Sequence, residues 1–226
     1  MKIIYISGID GCGKTTQSLL LEKELQLKGI SSKYAWLRWD PIFRKLFDFL
    51  KLIINKKKTT VNMSVTCKEQ IQHKKWVLIK TKILSNCVFR LLWWEYACVD
   101  YRSSLKKQIK KFATSDVLIV DRYVHDFVID QAINLGMSPQ DQSILIKRLK
   151  AKGFRFPDFN IIINLPAEEG YHRKLDGTPL DYLKERELRY RMIPINDHTL
   201  HLNGMKQIDE LAHSILTWVT NAIKKY

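Results

Sequence analysis

The chain opens on an unbroken apolar run, Ile3-Ile4-Tyr5-Ile6, framed by Lys2 and Ser7. A short continuous run of this kind reads as a strand buried on both faces, because a half-exposed strand would alternate apolar and polar positions. The same signature returns at Val117-Leu118-Ile119-Val120, bounded by Asp116 and Asp121, and over 159–165 after Pro157-Asp158. Residues 32–37 read as a shorter strand, and 198–202 as a short last one. Between these runs the pattern turns helical. Residues 15–28 carry leucines at 19, 20, 21, 25 and 27, with Gly29 as the stop. Asp40-Pro41 is a helix-start signal ahead of an amphipathic helix over 42–55. Lys56-Lys57-Lys58 leads into a polar loop over 59–66, and 67–113 reads as helical throughout. Ser138-Pro139-Gln140 opens a helix that ends before Gly153, and Pro166-Ala167-Glu168-Glu169 opens another. Residues 181–191 and 205–225 complete the helices. No element is assigned between Asp121 and Ser138. Strands that alternate with helices predict an α/β fold, a mainly parallel sheet flanked by helices.

Composition changes this picture little. The 226 residues are 46% hydrophobic and 27% charged, ordinary for one folded domain. The most apolar candidate for a membrane span, residues 87–99, is broken by Arg90 and Glu95. The strand at the N-terminus leaves no room for a secretory signal. Four cysteines, Cys12, Cys67, Cys87 and Cys98, contain no C-x-x-C pair. A reduced, soluble, cytoplasmic protein is expected.

Charge is more informative. The net charge is +15, and residues 41–115 hold 17 basic against 4 acidic side chains, whereas residues 116–226 hold 15 of each. A solvated helical face, an entrance for an anionic substrate, and a nucleic-acid or membrane surface all fit such a stretch.

One motif carries specific chemistry. Gly8-Ile9-Asp10-Gly11-Cys12-Gly13-Lys14-Thr15 matches G-x-x-x-x-G-K-[ST] in full, after a predicted strand and at the head of a predicted helix. Gly8, Gly11 and Gly13 let the backbone curl so that its N–H groups, with those of Cys12 and Thr16, face a phosphate chain. The helix start adds its positive dipole end. Lys14 supplies a mobile charge for the β and γ phosphates, and the Thr15 hydroxyl can hold Mg²⁺. Asp121 ends an apolar strand, where the carboxyl edge of a parallel sheet lines a ligand crevice. It is the second candidate metal residue, and Arg122 beside it can bind phosphate.

Together these features resemble the thymidylate kinase family of nucleoside monophosphate kinases. The likeness rests on Gly8-Ile9-Asp10-Gly11, on Asp121-Arg122-Tyr123, on Pro157-Asp158 with Leu165-Pro166-Ala167-Glu168-Glu169, and on Arg173-Lys174 before the next helix. It implies a single P-loop kinase domain over 1–226, with a basic helical insertion on the acceptor side over 41–95 and a lid over 173–181. The implied reaction is ATP- and Mg²⁺-dependent phosphoryl transfer to a small acceptor, dTMP first, in a homodimer. Asp10 would orient the acceptor, Lys14 would span the donor phosphates, Arg122 would grip the acceptor phosphate, and Arg173 would reach in from the lid, with Lys174 or Arg186 next in line. Arg38, Tyr96 and Arg102 are the remaining acceptor-side candidates.

Three departures bear on the acceptor. Arg38-Trp39-Asp40-Pro41 stands where the family has a glycine-rich stretch. In Tyr96-Ala97-Cys98-Val99-Asp100-Tyr101-Arg102 an aromatic and an arginine survive in shifted register, and Trp93, Trp94 and Tyr96 read equally as helix packing. His125-Asp126 replaces small hydroxyl residues, with His125 either a helix-cap histidine or a substrate contact. The 106 residues between Lys14 and Asp121 exceed what such kinases use, and the surplus falls in the basic stretch. Two other readings stay open: a P-loop kinase of a different acceptor, or a nucleotide-binding protein docked on nucleic acid or an anionic membrane. The second lacks any recognised nucleic-acid module in 41–115.

Overall fold

The computed structural model describes residues 1–42, 86–174 and 177–225. The helix expected over 42–55 lies outside them beyond Ile42, as do the lysine run, the loop over 59–66 and the first part of the helical stretch over 67–113. Five strands form one sheet: β1 (Lys2–Ser7), β2 (Ser32–Trp36), β3 (Val117–Asp121), β4 (Phe159–Asn164) and β5 (Thr199–Asn203). Their order is β2-β3-β1-β4-β5, and every pairing is parallel. The described helices are α1 (Lys14–Leu27), α2 (Cys87–Lys110), α3 (Val124–Asn134), α4 (Gln142–Ala151), α5 (Ala167–Arg173), α6 (Leu180–Arg191) and α7 (Ile208–Lys225). This is the α/β sandwich that the sequence pattern predicts, and it is consistent with a P-loop kinase fold.

The apolar strands are continuous because helices cover both faces. Ile4 and Ile6 of β1 join Ile119, Ile161 and Ile163 in a core closed by Leu21 and Leu25 of α1 and by Ile215 and Val219 of α7. Ile3 and Tyr5 point to the opposite face and pack with Leu118, Val120, Trp94, Tyr101, Phe127 and Leu149. No described helix is long and apolar enough to cross a membrane. Cys12 and Cys98 are buried thiols and Cys87 is an exposed one.

Most boundaries shift by a residue or two and the helix read as opening at Ser138 begins at Gln142; two further boundaries and one element differ from the sequence reading. The last helix begins at Ile208, because the Asn203 side chain accepts from the Met205 backbone N–H at 3.0 Å and folds residues 203–206 into a turn. Arg173 is the last residue of α5 and not the first of a loop. α3 has no counterpart in the sequence reading. Eight of its eleven residues, from Val124 to Ala132, are buried, and the polar His125, Asp126 and Gln131 are among them, so groups that a surface helix would turn to solvent lie inside.

The topology places chemistry at one edge. β1 and β3 are adjacent and in register, with Ile6 opposite Asp121, so the loop after β1 and the turn after β3 leave the sheet side by side. On the other flank of β1, Ser7 lies opposite Ile162 of β4. Successive connections depart in opposite directions around β1, which opens a crevice at the strands' carboxyl ends.

Candidate functional site

Residues 8–13 wrap from β1 into α1. Gly8 and Gly11 have φ of +148° and +85°. A Cβ on Gly11 would lie 2.7 Å from the Gly170 carbonyl oxygen of α5, and one on Gly8 would strike the Ile163 carbonyl. Both positions therefore exclude a side chain by contact as well as by conformation. Lys14 is buried, and its ammonium donates to the Ile9 carbonyl at 3.1 Å and to Asp10 Oδ1 at 3.3 Å. Burial pushes the Asp10 carboxyl up, but Arg122 and Lys14 outweigh it and hold its pKa at about 2. Asp10 is thus a carboxylate at any physiological pH.

Thr15 and Asp121 meet across the gap between loop and strand. The Thr15 hydroxyl donates to Asp121 Oδ2 at 2.7 Å. Asp121 Oδ1 is buried with no hydrogen-bond partner. Burial raises the Asp121 pKa against the pull of Lys14 and the Thr15 hydrogen bond, as expected of a carboxylate short of cationic partners. A hydroxyl and a carboxylate with a spare oxygen fit Mg²⁺, which takes one or two protein oxygens and completes its shell with phosphate and water. Among the described residues no cluster of three or more His, Cys, Asp or Glu side chains offers a dedicated all-protein cage. These two residues could hold the ion.

β3 turns into α3 in two residues, and that turn puts Arg122 in the left-handed region at φ 65°. A non-glycine residue there costs about 1 kcal/mol or more and persists only where its surroundings fix it. Here they do. The Arg122 guanidinium donates to Asp126 Oδ1 at 3.0 Å and pairs with Asp10 Oδ1. Asp126 also accepts from the backbone N–H of Tyr123 at 3.1 Å, from the hydroxyls of Tyr5 and Tyr190, and from Arg186 Nη2 at 3.1 Å. Burial opposes its charge, yet Arg122 and Arg186 keep Asp126 well below the usual carboxylate range. Arg186, only 1% exposed, further donates to the Tyr182 hydroxyl at 3.1 Å and pairs with Asp130.

These groups line a cavity of about 560 Å³ bounded by the phosphate loop, the end of β2 and α6. Six basic side chains, Lys14, Arg38, Arg122, Arg173, Lys174 and Arg186, face it with two acidic ones, Asp10 and Asp121. A second cavity of about 420 Å³ lies on the far side of the loop, between Cys12, Thr16 and Arg173 and the turn from Gly204 to Ile208. Arg173 borders both cavities, tethered by Glu169 at 2.8 Å and by the Gly204 carbonyl at 3.2 Å.

The fold therefore gathers Asp10, Gly11, Gly13, Lys14, Thr15, Thr16, Arg38, Asp121, Arg122 and Arg173 around one cavity, with Cys12 on the adjoining one. Gly8 lies beneath the loop. Two acceptor candidates stand elsewhere. Arg102 lines a separate, mostly apolar cavity with Leu105, Tyr123 and Phe154, its guanidinium beside Gly153. It is exposed on α2 and lines neither cavity at the phosphate loop. Tyr96 is half-buried in an aromatic cluster, 6.5 Å from Trp39 and 6.0 Å from Trp93 between ring centroids, with its hydroxyl 3.4 Å from Asp100. His125 packs under Tyr5 with ring centroids 5.6 Å apart and borders neither cavity at the phosphate loop. The ion-pairing roles of Asp126 and Asp130 escape a sequence reading, since their shared partner Arg186 lies on α6, some 56 to 60 residues away.

Comparison with known proteins gives one distant likeness. A thymidylate kinase of Caldanaerobacter subterraneus subsp. tengcongensis is 23% identical, in an alignment that spans 100% of this chain and 96% of that protein. No family model matches the chain.

Proposed function

We propose that the chain is an ATP- and Mg²⁺-dependent phosphotransferase acting on a nucleoside monophosphate, with dTMP as the first candidate acceptor. The observation that carries this reading is the shared cavity. A complete phosphate loop, a Thr15–Asp121 pair and five further cations face one space. ATP and a monophosphate together bring about six negative charges at neutral pH, and six basic side chains with Mg²⁺ are the complement they require. The end-to-end likeness to a protein named thymidylate kinase supports the same reading.

The proposed roles follow the geometry. The donor phosphates lie along the loop amides and the N-terminus of α1, with Lys14 turning from Asp10 to the β and γ oxygens. The donor base and sugar take the second cavity, which shares Gly11, Gly13, Thr16 and Arg173 with the first. Mg²⁺, when bound, would supply charge neutralisation to the donor phosphates, and Thr15 and Asp121 would hold it. The acceptor phosphate enters from the Arg38 side and meets Arg122 and Arg186. Arg173, between the cavities, neutralises the transferring group. Phosphoryl transfer needs little covalent chemistry from the protein, so positioning and charge suffice. Closure of a lid over 173–181, of which residues 175 and 176 lie outside the described set, would exclude water from both cavities.

An ADP-release assay across nucleoside monophosphates, nucleosides and phosphorylated sugars tests the reading. Stimulation by dTMP above all others supports it. Binding without acceptor dependence, weakening steeply with salt, would point to a docking protein instead.

A further inference from the structure

Asp126 does something that the proposed transfer reaction does not by itself require. Its carboxylate sits between two guanidiniums that both face the phosphate cavity, Arg122 at 3.0 Å and Arg186 at 3.1 Å. Its side chain is 4% exposed and is backed by Tyr5, Tyr190 and the Tyr123 backbone N–H, so it has nowhere to move. Each arginine also has a second acidic partner that is less enclosed: Asp10, 18% exposed, for Arg122, and Asp130, 22% exposed, for Arg186. The two arginines thus share one fixed anion and each has one anion at the solvent edge. Asp130 is held by the Tyr182 hydroxyl at 3.3 Å, and Tyr182 itself lines the cavity.

We propose that Arg122 and Arg186 form a two-arginine phosphate clamp, positioned by Asp126 and latched at rest by Asp10 and Asp130, which an arriving phosphate displaces. This rests on the reading of the cavity as a phosphate-transfer site. The physical argument is one of competition and preorganisation. Two guanidiniums close together repel unless an anion lies between them, and Asp126 supplies that anion from the side away from the cavity. A guanidinium has five N–H donors, so one used on Asp126 leaves the others for a phosphate. At rest Arg122 Nη2 is held by Asp10 and Arg186 Nη1 by Asp130, carboxylates whose partial exposure lets them exchange for a dianion. Asp10, once released, is free to accept a sugar hydroxyl. If Asp126 lost its charge, Asp10 and Asp130 would draw the arginines apart towards opposite ends, and the clamp would open.

The two kinds of acid therefore have opposite effects on phosphate affinity. Inorganic phosphate is titrated calorimetrically into wild type, Asp126→Asn and Asp130→Asn, with and without a non-hydrolysable ATP analogue on the phosphate loop. Asp126→Asn should weaken phosphate binding about tenfold or more, and Asp130→Asn should tighten it roughly two- to fivefold. In turnover assays the same variants should move the acceptor KM in those opposite directions and leave the ATP KM unchanged. Shifts of both variants in one direction, or no shift in either, overturn the clamp, since a merely structural role would weaken both. If Asp126→Asn does not fold, Asp130→Asn at its partly exposed position decides alone, and unchanged or weaker phosphate binding overturns the latch. Failure of wild type to bind the ATP analogue would strike the nucleotide reading. The signs of the two variants in the titration without analogue would still decide the clamp.

Discussion

Thr15 Oγ1 and Asp121 Oδ2 lie 2.7 Å apart, although 106 positions separate the two residues in sequence. The contact joins the head of α1 to the tip of β3 and leaves the other Asp121 oxygen buried without a partner. A divalent cation held here would take both side chains. Asp121→Asn is expected to raise the Mg²⁺ concentration for half-maximal turnover at least about tenfold, with a smaller effect at saturating metal. Titration of activity with Mg²⁺ checks this, and an unchanged midpoint would remove Asp121 from the metal site.

Lys14 is parked on Ile9 and Asp10 inside the loop that the donor phosphates would fill. Lys14→Ala should lower turnover about a thousandfold or more, the scale of a charge acting on a transferring phosphoryl group. Its circular dichroism and melting should stay close to wild type. A folded variant with near wild-type turnover contradicts the role.

Arg173 borders both cavities from the end of α5. Arg173→Ala should lower kcat far more than it raises the ATP KM if, as proposed, its charge acts on the transferring group. Hydrogen exchange over 171–181 should slow when ATP analogue and acceptor are both present. A silent variant with equal protection in both states would pass the role to Lys174 or Arg186.

His125 links the site's packing to pH. Its ring is buried between Tyr5 and Phe156, and burial lowers its pKa from 6.5 to about 4. The unfolded chain therefore binds a proton between these values that the folded chain refuses. Stability is full above pH 6.5 and falls as the pH drops from 6.5 towards 4, by about 3 kcal/mol for this group. Asp10 adds a further loss only below pH 4, as the pH falls from its unfolded value of 3.8 towards its folded value of about 2. His125→Phe should flatten the upper part of this fall. Urea midpoints from pH 7.5 to 4.5 measure it, and parallel curves for both proteins would contradict the assignment.

Elements with a short-range signal were legible in the sequence. β1, β3 and β4 are short apolar runs with polar or Pro-Asp boundaries, α1 has leucine spacing and a glycine stop, and the phosphate loop is a contiguous motif. α3 was not legible, because its polar His125, Asp126 and Gln131 are buried along with its apolar residues and mark no solvent face. The arginines of α6 illustrate the same limit. Arg186 and Arg189 sit among Lys184, Glu185, Glu187 and Arg191 as if on a solvated face, yet both are 1% exposed. Tertiary partners separate them from their neighbours: Asp126 and Asp130 of α3 for Arg186, and the Met137 carbonyl beyond that helix for Arg189. Arg102 lines a different cavity from the phosphate loop, a placement that depends on how α2 packs on the sheet and that no short motif encodes.

The central claim is that this cavity moves the γ-phosphoryl group of ATP onto an acceptor phosphate. The most direct measurement follows labelled γ-phosphate from ATP with dTMP and Mg²⁺ present and identifies the labelled product. The account predicts label on a nucleoside diphosphate, lost in Lys14→Ala. Label recovered only as inorganic phosphate, with every monophosphate acceptor left unchanged, would contradict it.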